Sequence, residues 1–465
     1  MKWIRIPVVL LLAGALAFIA VRLAPLAEAR SATRQPLVAA DRLDPERVDR
    51  IAIVRGEERF EFVRDGERWR QREPIEHALD AWSVRQLVSK VRAAEVVRVL
   101  GEADAPEGAT EAKGVGERPF GEVLGRIELS MTGDGSAGEG RATVIELGRR
   151  SLGGRALARV AEAGAPIVVV DGALHDLVLD RDMRDFRRRD LFADLGEIAS
   201  IAFRPAGGGE VILARRGRGF ELDSPVRTRA DRSQAEDFIA ALRRARSDGF
   251  VVDRPREPAV YGLAPPAATL VVTGKDGTAT LLVGEPVALG AQDRFAMIEG
   301  SDTVFRLPAA TLGSLIPRTE RLVDSTATAT RPSDVARIDI DSADGNLRLD
   351  RELDGWRAER VPRGGEVGAA RTGSADADAV ERLLATLSEA RAGSLELQPL
   401  EPARIDATIT LRGFAGEPLA TIRRAATADG TGTVLDAGDG VQRVFGSIDL
   451  PLTDADLGLR FAPRP

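Results

Sequence analysis

Two histidines, His77 and His175, and no cysteine leave this chain of 465 residues with few of the side chains that do chemistry. Without cysteine there is no disulfide, no thiolate metal site, no iron–sulfur cluster and no thiol nucleophile. His77 precedes a helix pattern and His175 follows the Val170-Asp171-Gly172 turn, with no spacing that pairs them, so each reads as a surface or cap residue. Gly274-Lys275 lacks the glycine spacing of a phosphate loop and runs on into Asp276. Ser136 sits in Asp134-Gly135-Ser136-Ala137-Gly138, where Asp134 holds the first glycine place of a nucleophile elbow. Asp339, Asp341 and Asp344-Gly345 resemble a calcium loop, but the glycine comes one place late and Ala343 fills an expected ligand position. They read instead as a hairpin turn with solvated carboxylates. With 72 acidic residues, a carboxylate pair at glycosidase spacing occurs somewhere by chance, so such a pair has meaning only inside a cleft. The sequence nominates no catalytic residue, no cofactor-binding residue, no metal ligand and no cofactor.

The elements that would have to position any site form a threefold pattern. A strand signal runs through Val48, Ile51 and Ile53, returns at Ile198, Ile201 and Phe203, and again at Val335, Ile338 and Ile340. Alternating runs follow at Phe60 and Phe62, at Val211 and Leu213, and at Leu347 and Leu349, each ending in turn chemistry around Gly66, Gly217 and Gly355. A large aromatic comes next: Trp69, Phe220, Trp356. Each copy thus opens with a three-stranded meander whose aromatic plugs a core. An amphipathic helix follows, with stripes Val84-Leu87-Val88-Val91, Ala235-Phe238-Ile239-Leu242 and Val380-Leu383-Leu384-Leu387, and Asp231 and Ser374 are candidate N-caps. Further strands and a short terminal helix close each copy. The charge run Arg181–Asp190 reads as a connector with solvated or paired charges, or else as a basic face toward anionic lipid or a partner protein.

The N-terminus sets the compartment. Lys2 and Arg5 precede an uncharged run, Ile6 to Val21, of about 24 Å as a helix, which extends through Leu23 to Leu26 if Arg22 snorkels. This is expected to be a transmembrane helix acting as an uncleaved signal anchor. The rival is a signal peptide cleaved near Ala27-Glu28-Ala29. Net charge −7 argues against nucleic acid as a partner. The expected class is therefore α+β: an N-terminal transmembrane helix followed by three repeated modules of antiparallel sheet with a packed helix. The boundaries are 1–26 for the anchor or signal segment, 27–42 for a tether, and 43–190, 191–324 and 331–465 for the modules.

The V-x-x-I-x-I…W meander with its helix, and Tyr261-Gly262-Leu263-Ala264-Pro265-Pro266 followed by paired strands, resemble an uncharacterised bacterial envelope family catalogued only as a domain of unknown function. The match runs from Ile198 to about Val323 and includes Leu282-Val283-Gly284 and Arg294-Phe295-Ala296. Members of that family are often encoded beside the membrane and auxiliary subunits of gliding-motility-type ABC exporters. The resemblance implies an envelope accessory role with no catalytic residues to carry over; with the anchor, the repeats and the absence of a catalytic motif, the expected function is a non-enzymatic, membrane-anchored scaffold or accessory protein of an ABC-type export or motility complex. It would sit in the bacterial inner membrane by a single pass, with its body in the periplasm and envelope or exporter proteins as partners. The alternative is a periplasmic enzyme acting on cell-wall glycan through an acidic pair in an inter-module cleft.

Overall fold

The computed structural model describes residues 35–100, 120–131, 141–151, 153–364 and 370–462. Three antiparallel sheets of nine or ten strands dominate it. Counting in chain order the strands that all three share, every sheet has the order 5-9-8-7-6-1-2-3-4. The first strand lies in the middle: Val48–Arg55, Ile198–Pro205 and Arg337–Ser342. Three strands step outward from it, a helix crosses, and the fifth strand lands at the opposite edge. The last four strands then fill the gap back to it. Two short additions widen the first and third sheets: Gln35–Pro36 beside the fifth strand of the first, and Arg460–Phe461 beside the fourth strand of the third.

The register repeats as well. Ile51 faces Phe62 and Leu129, Ile201 faces Leu213 and Val272, and Ile338 faces Leu349 and Leu411. A one-residue slip would turn these side chains to the other face, so inward alternation fixes the pairing. The crossing helices are α1 (Ala81–Arg92), α2 (Arg232–Arg244) and α3 (Ala377–Glu389), and each packs against the third strand of its meander. The expected stripes are the buried faces, with Phe238 only partly covered. Trp69, Phe220 and Trp356 are buried in the same three cores. Each helix starts at an aspartate whose carboxylate accepts from a first-turn N–H: Asp80 from Ser83, Asp231 from Gln234, Asp376 from Asp378. That satisfies a donor the helix itself cannot. In the third copy the cap is Asp376, not Ser374, which lies in the preceding strand Arg371–Ala375.

The same aspartates lock the end of each copy. The Asp80, Asp231 and Asp376 N–H groups donate to the carbonyls of Phe186, Leu322 and Leu457, at 2.8, 2.7 and 3.0 Å. The three acceptors belong to buried residues of the closing segments. The run Arg181–Asp190 is accordingly more than a solvated connector. Met183 and Phe186 enter the core, and Arg187, 1% exposed, donates through Nε to the buried Gln71 amide oxygen at 3.1 Å.

The expected class requires correction. The described chain is mostly β rather than α+β, because each long helix is set against nine or ten strands. Several strands escaped the sequence reading because they are too short to show alternation. They include His77–Leu79, Thr228–Arg229 and Ser394–Glu396. The expected transmembrane helix over residues 6–26 lies outside the described residues, and no described helix is long and apolar enough to cross a membrane. Residues 35–42, at the end of the expected tether, join the first copy instead: Gln35–Pro36 pair with its fifth strand and Val38 is buried in its core.

By density of contacts the chain divides into two compact units, Met1–Arg189 and Asp190–Pro465. The first holds the first sheet, and the second holds the other two.

Candidate functional site

Each of the three aromatics faces an arginine across its hairpin: Arg64 with Trp69, Arg215 with Phe220, Arg351 with Trp356. The Arg215 and Arg351 guanidinium carbons lie 4.4 and 4.6 Å from the ring centres. Arg64, Arg215 and Arg351 also donate to backbone carbonyls at the entry to the central strand, those of Glu46, Ile198 and Val335. Buried in their cores, with a cation over the Phe220 and Trp356 rings, these aromatics are not free to stack on a sugar.

The other singled-out residues are likewise engaged in holding the fold. His175 is 0% exposed, so it is a core residue and not a surface or cap one; its Nε2–H donates to the Gly148 carbonyl at 3.0 Å. Burial pushes its pKa below the ordinary histidine value, against the pull of the carbonyls of Gly148 and Leu157. His77 lies in an edge strand, with Nδ1 2.8 Å from the Ala78 carbonyl oxygen. Asp341 and Asp344 are exposed at a hairpin turn, as expected, but Asp339 is not a solvated carboxylate: it receives Arg412 Nε at 2.8 Å. Lys275 and Asp276 form the hairpin between Ala268–Gly274 and Gly277–Pro286. Ser136 lies outside the described residues. Tyr261 sets its ring edge-on to Phe295 at 5.1 Å. A Cβ on Gly284 would come within 2.1 Å of the Tyr261 carbonyl oxygen, and one on Gly262, at φ +67°, within 2.6 Å of the Glu285 nitrogen. The Tyr-Gly-Leu segment is thus a close backbone crossing that only glycine allows. Among the described residues, no group of three or more His, Asp or Glu could hold a metal ion.

The densest polar constellation was not legible in the sequence. It lies inside the second unit, where the second and third sheets meet along the segment 323–328. Asp324 N–H donates to the Arg229 carbonyl of the second sheet's edge, while Thr328 N–H reaches the Leu387 carbonyl and Ala392 N–H reaches the Ser325 carbonyl on the third sheet's side. Arg443, 0% exposed, crosses this seam. Its Nε donates to the Asp324 carbonyl at 3.0 Å, and Nη1 and Nη2 hold Asp439 bidentately at 3.0 and 2.7 Å. Asp439 in turn accepts from the Thr228 hydroxyl. Arg229 donates to the Thr326 carbonyl at 3.0 Å and pairs with Asp324 at 3.3 Å. Arg391, just past α3, holds the Asp231 carboxylate at 2.7 Å, at the start of α2. Val441, Leu395 and Leu397 of the third sheet pack into the second sheet's core.

Charge follows from this geometry. Burial alone would raise the Asp439 carboxyl, but hydrogen bonding and charge from Arg443, with Thr228, bring it below the ordinary range. Burial acts the same way on Asp231, and Arg391 and the Gln234 N–H overcome it. Burial lowers Arg229, partly offset by Asp324. Open grooves of about 630 and 520 Å³ flank the Asp231–Arg391 pair. These carboxylates are held ionised and already accept hydrogen bonds, which suits them to fixing two sheets and not to giving up a proton.

The profile of a family described as "Domain of unknown function (DUF4340)" matches residues 221–407. That span takes in α2, the Tyr261 crossing, the seam segment and α3. No curated protein matches the chain. Among solved structures, the crystal structure of a DNA polymerase sliding clamp from Pseudomonas aeruginosa with ligand aligns at 9% identity over 87% of this chain and 93% of that one. The TM-score of 0.14 carries no argument about fold or function.

Proposed function

We propose that the chain is a non-enzymatic scaffold or accessory protein working outside the cytoplasm, in the bacterial envelope, as part of an ABC-type export or motility complex. The observation that carries the scaffold reading is the seam. The most elaborate polar network of the second unit joins two sheets into one body, and its carboxylates are pulled toward ionisation. The envelope and exporter part of the proposal rests on the family resemblance of residues 198–323. The rival reading, hydrolysis of cell-wall glycan by an acidic pair, needs one carboxyl kept protonated near neutral pH. Asp231 and Asp439 are shifted the other way.

Two measurements test the proposal. A reporter active only in the periplasm, fused after Pro465, is expected to work; activity from a cytoplasmic reporter alone would refute the location. Crosslinking in intact cells followed by purification of the full chain is expected to bring down exporter or motility subunits in a fixed ratio. Recovery of the chain alone, together with release of sugar from cell-wall glycan by the pure protein, would favour the enzyme.

A further inference from the structure

Two hairpin tips of the third sheet are apolar where their described counterparts in the other sheets are polar. Between the second and third strands, the first sheet turns through Gly66-Glu67 and the second through Gly217-Arg218, but the third turns through Leu353-Asp354. Between the sixth and seventh strands, the second sheet turns through Lys275-Asp276, whereas the third places Phe414. Leu353 is 105% exposed and Phe414 73%. Both tips lie at the same end of the sheet, because Arg337 at the start of the central strand pairs with Asp350 on one side and Arg412 on the other. Together they line one open groove of about 1000 Å³, with Trp356 and Ala377 also in its lining.

The charges in that groove are one-sided. Its single arginine, Arg351, is held by Glu381 at 3.0 Å and lies over the Trp356 ring. Nearby Arg412 is spent on Asp339. Glu352 and Asp354 flank Leu353 with no ion pair among the described residues. Arg357 and Arg460 line an adjoining hollow that shares Glu352 and Asp354 with the groove. The Glu352 and Asp354 carboxylates beside the two protruding apolar side chains oppose docking on an anionic lipid surface. They fit a polypeptide face that carries apolar side chains beside lysine or arginine.

We infer that the Leu353–Phe414 end of the third sheet is a docking surface for a basic, apolar segment of a partner protein. The inference deepens the scaffold reading and rests on it by giving the scaffold a working face. Leu353 and Phe414 act as anchors, while Glu352 and Asp354 select the sign of the partner's charge.

The test uses the full chain and a dye-labelled peptide of alternating leucine and lysine, read by fluorescence anisotropy. Saturable binding is expected, weakened by salt and weakened about tenfold or more by L353S/F414S. E352Q/D354N should weaken it several-fold and flatten its salt dependence. All four positions are at the surface, so unchanged melting of the variants separates lost binding from lost folding. Equal binding of a leucine–glutamate peptide, or binding indifferent to these substitutions, would overturn the inference. So would Leu353-dependent binding to phosphatidylglycerol vesicles, or Leu353-dependent self-association in sedimentation. None of those results touches the crosslinking test of the scaffold reading, which does not depend on the face used.

Discussion

The first unit builds one nine-strand pattern and closes it on itself, whereas the second builds the pattern twice and welds the copies. In the first, the closing segment brings Phe186 to the Asp80 N–H and buries Arg187 against Gln71. In the second, the segment after Leu322 does more. It completes the second sheet through Asp324 and then ties on to the third through Ser325 and Thr328. The difference teaches that the strand order does not decide how many bodies the chain makes. Contacts across one seam do: Arg443 to the Asp324 carbonyl, Thr228 to Asp439, Arg391 to Asp231, and Val441, Leu395 and Leu397 packed into the second sheet's core.

The largest expected effect follows directly. Arg443→Ala strands the partly buried Asp439 carboxylate and should cost the second unit about 3–5 kcal/mol, leaving the first unit's melting unchanged. Replacing both partners, R443M with D439L, should cost far less, because no uncompensated charge remains. A double-mutant cycle on the second unit's melting checks this, and additive losses would show the pair to be incidental.

The caps give a smaller contrast. Asp80→Ala and Asp376→Ala should each cost about 1 kcal/mol. Asp231→Ala should cost more, since it also removes the acceptor of Arg391 across the seam. Chemical denaturation that finds the three losses equal would mean that the Arg391 contact contributes nothing.

The smallest contrast is in pH. Burial depresses the folded-state pKa of His175, which faces Arg150 and Asp176, so the first unit is fully stabilised above the unfolded histidine value and loses stability as pH falls below about 6.5. The second unit contains no histidine. Its Asp231 and Asp439 have folded values below the ordinary 3.8, so their contribution is present above that value and is lost only as pH falls further. Between about pH 6.5 and 4, the first unit's melting temperature should fall while the second's holds. His175→Gln should abolish the difference; a parallel decline of both units would contradict it.

Much of the fold was legible because its signals are periodic. Ile51, Ile201 and Ile338, the three aromatics and the helix stripes are apolar residues at periods that only one face can bury. The missed parts are those without a period. Strands of two or three residues, such as Thr228–Arg229, have no alternation to read. Arg215 and Arg351 look like outward-facing strand residues, and nothing local marks them as lids over aromatics. Ser374 and Asp376 are equally good cap types, and only the strand pairing of Ser374 with Arg357 chooses between them. The seam was invisible because Arg443, Thr228 and Asp324 are far apart in the chain and ordinary in composition. The candidate partner surface had one available signal, the replacement of polar turn residues by Leu353 and Phe414 in the third copy alone.

Calorimetry of the full chain carrying Trp69→Ala, Phe220→Ala or Trp356→Ala tests most directly whether the seam makes one body of two sheets. Each change removes a buried aromatic at an expected cost of about 3–5 kcal/mol. Two transitions are expected, with Trp69→Ala lowering one of them and Phe220→Ala and Trp356→Ala both lowering the other. Three transitions, each answering to a single aromatic, would contradict it.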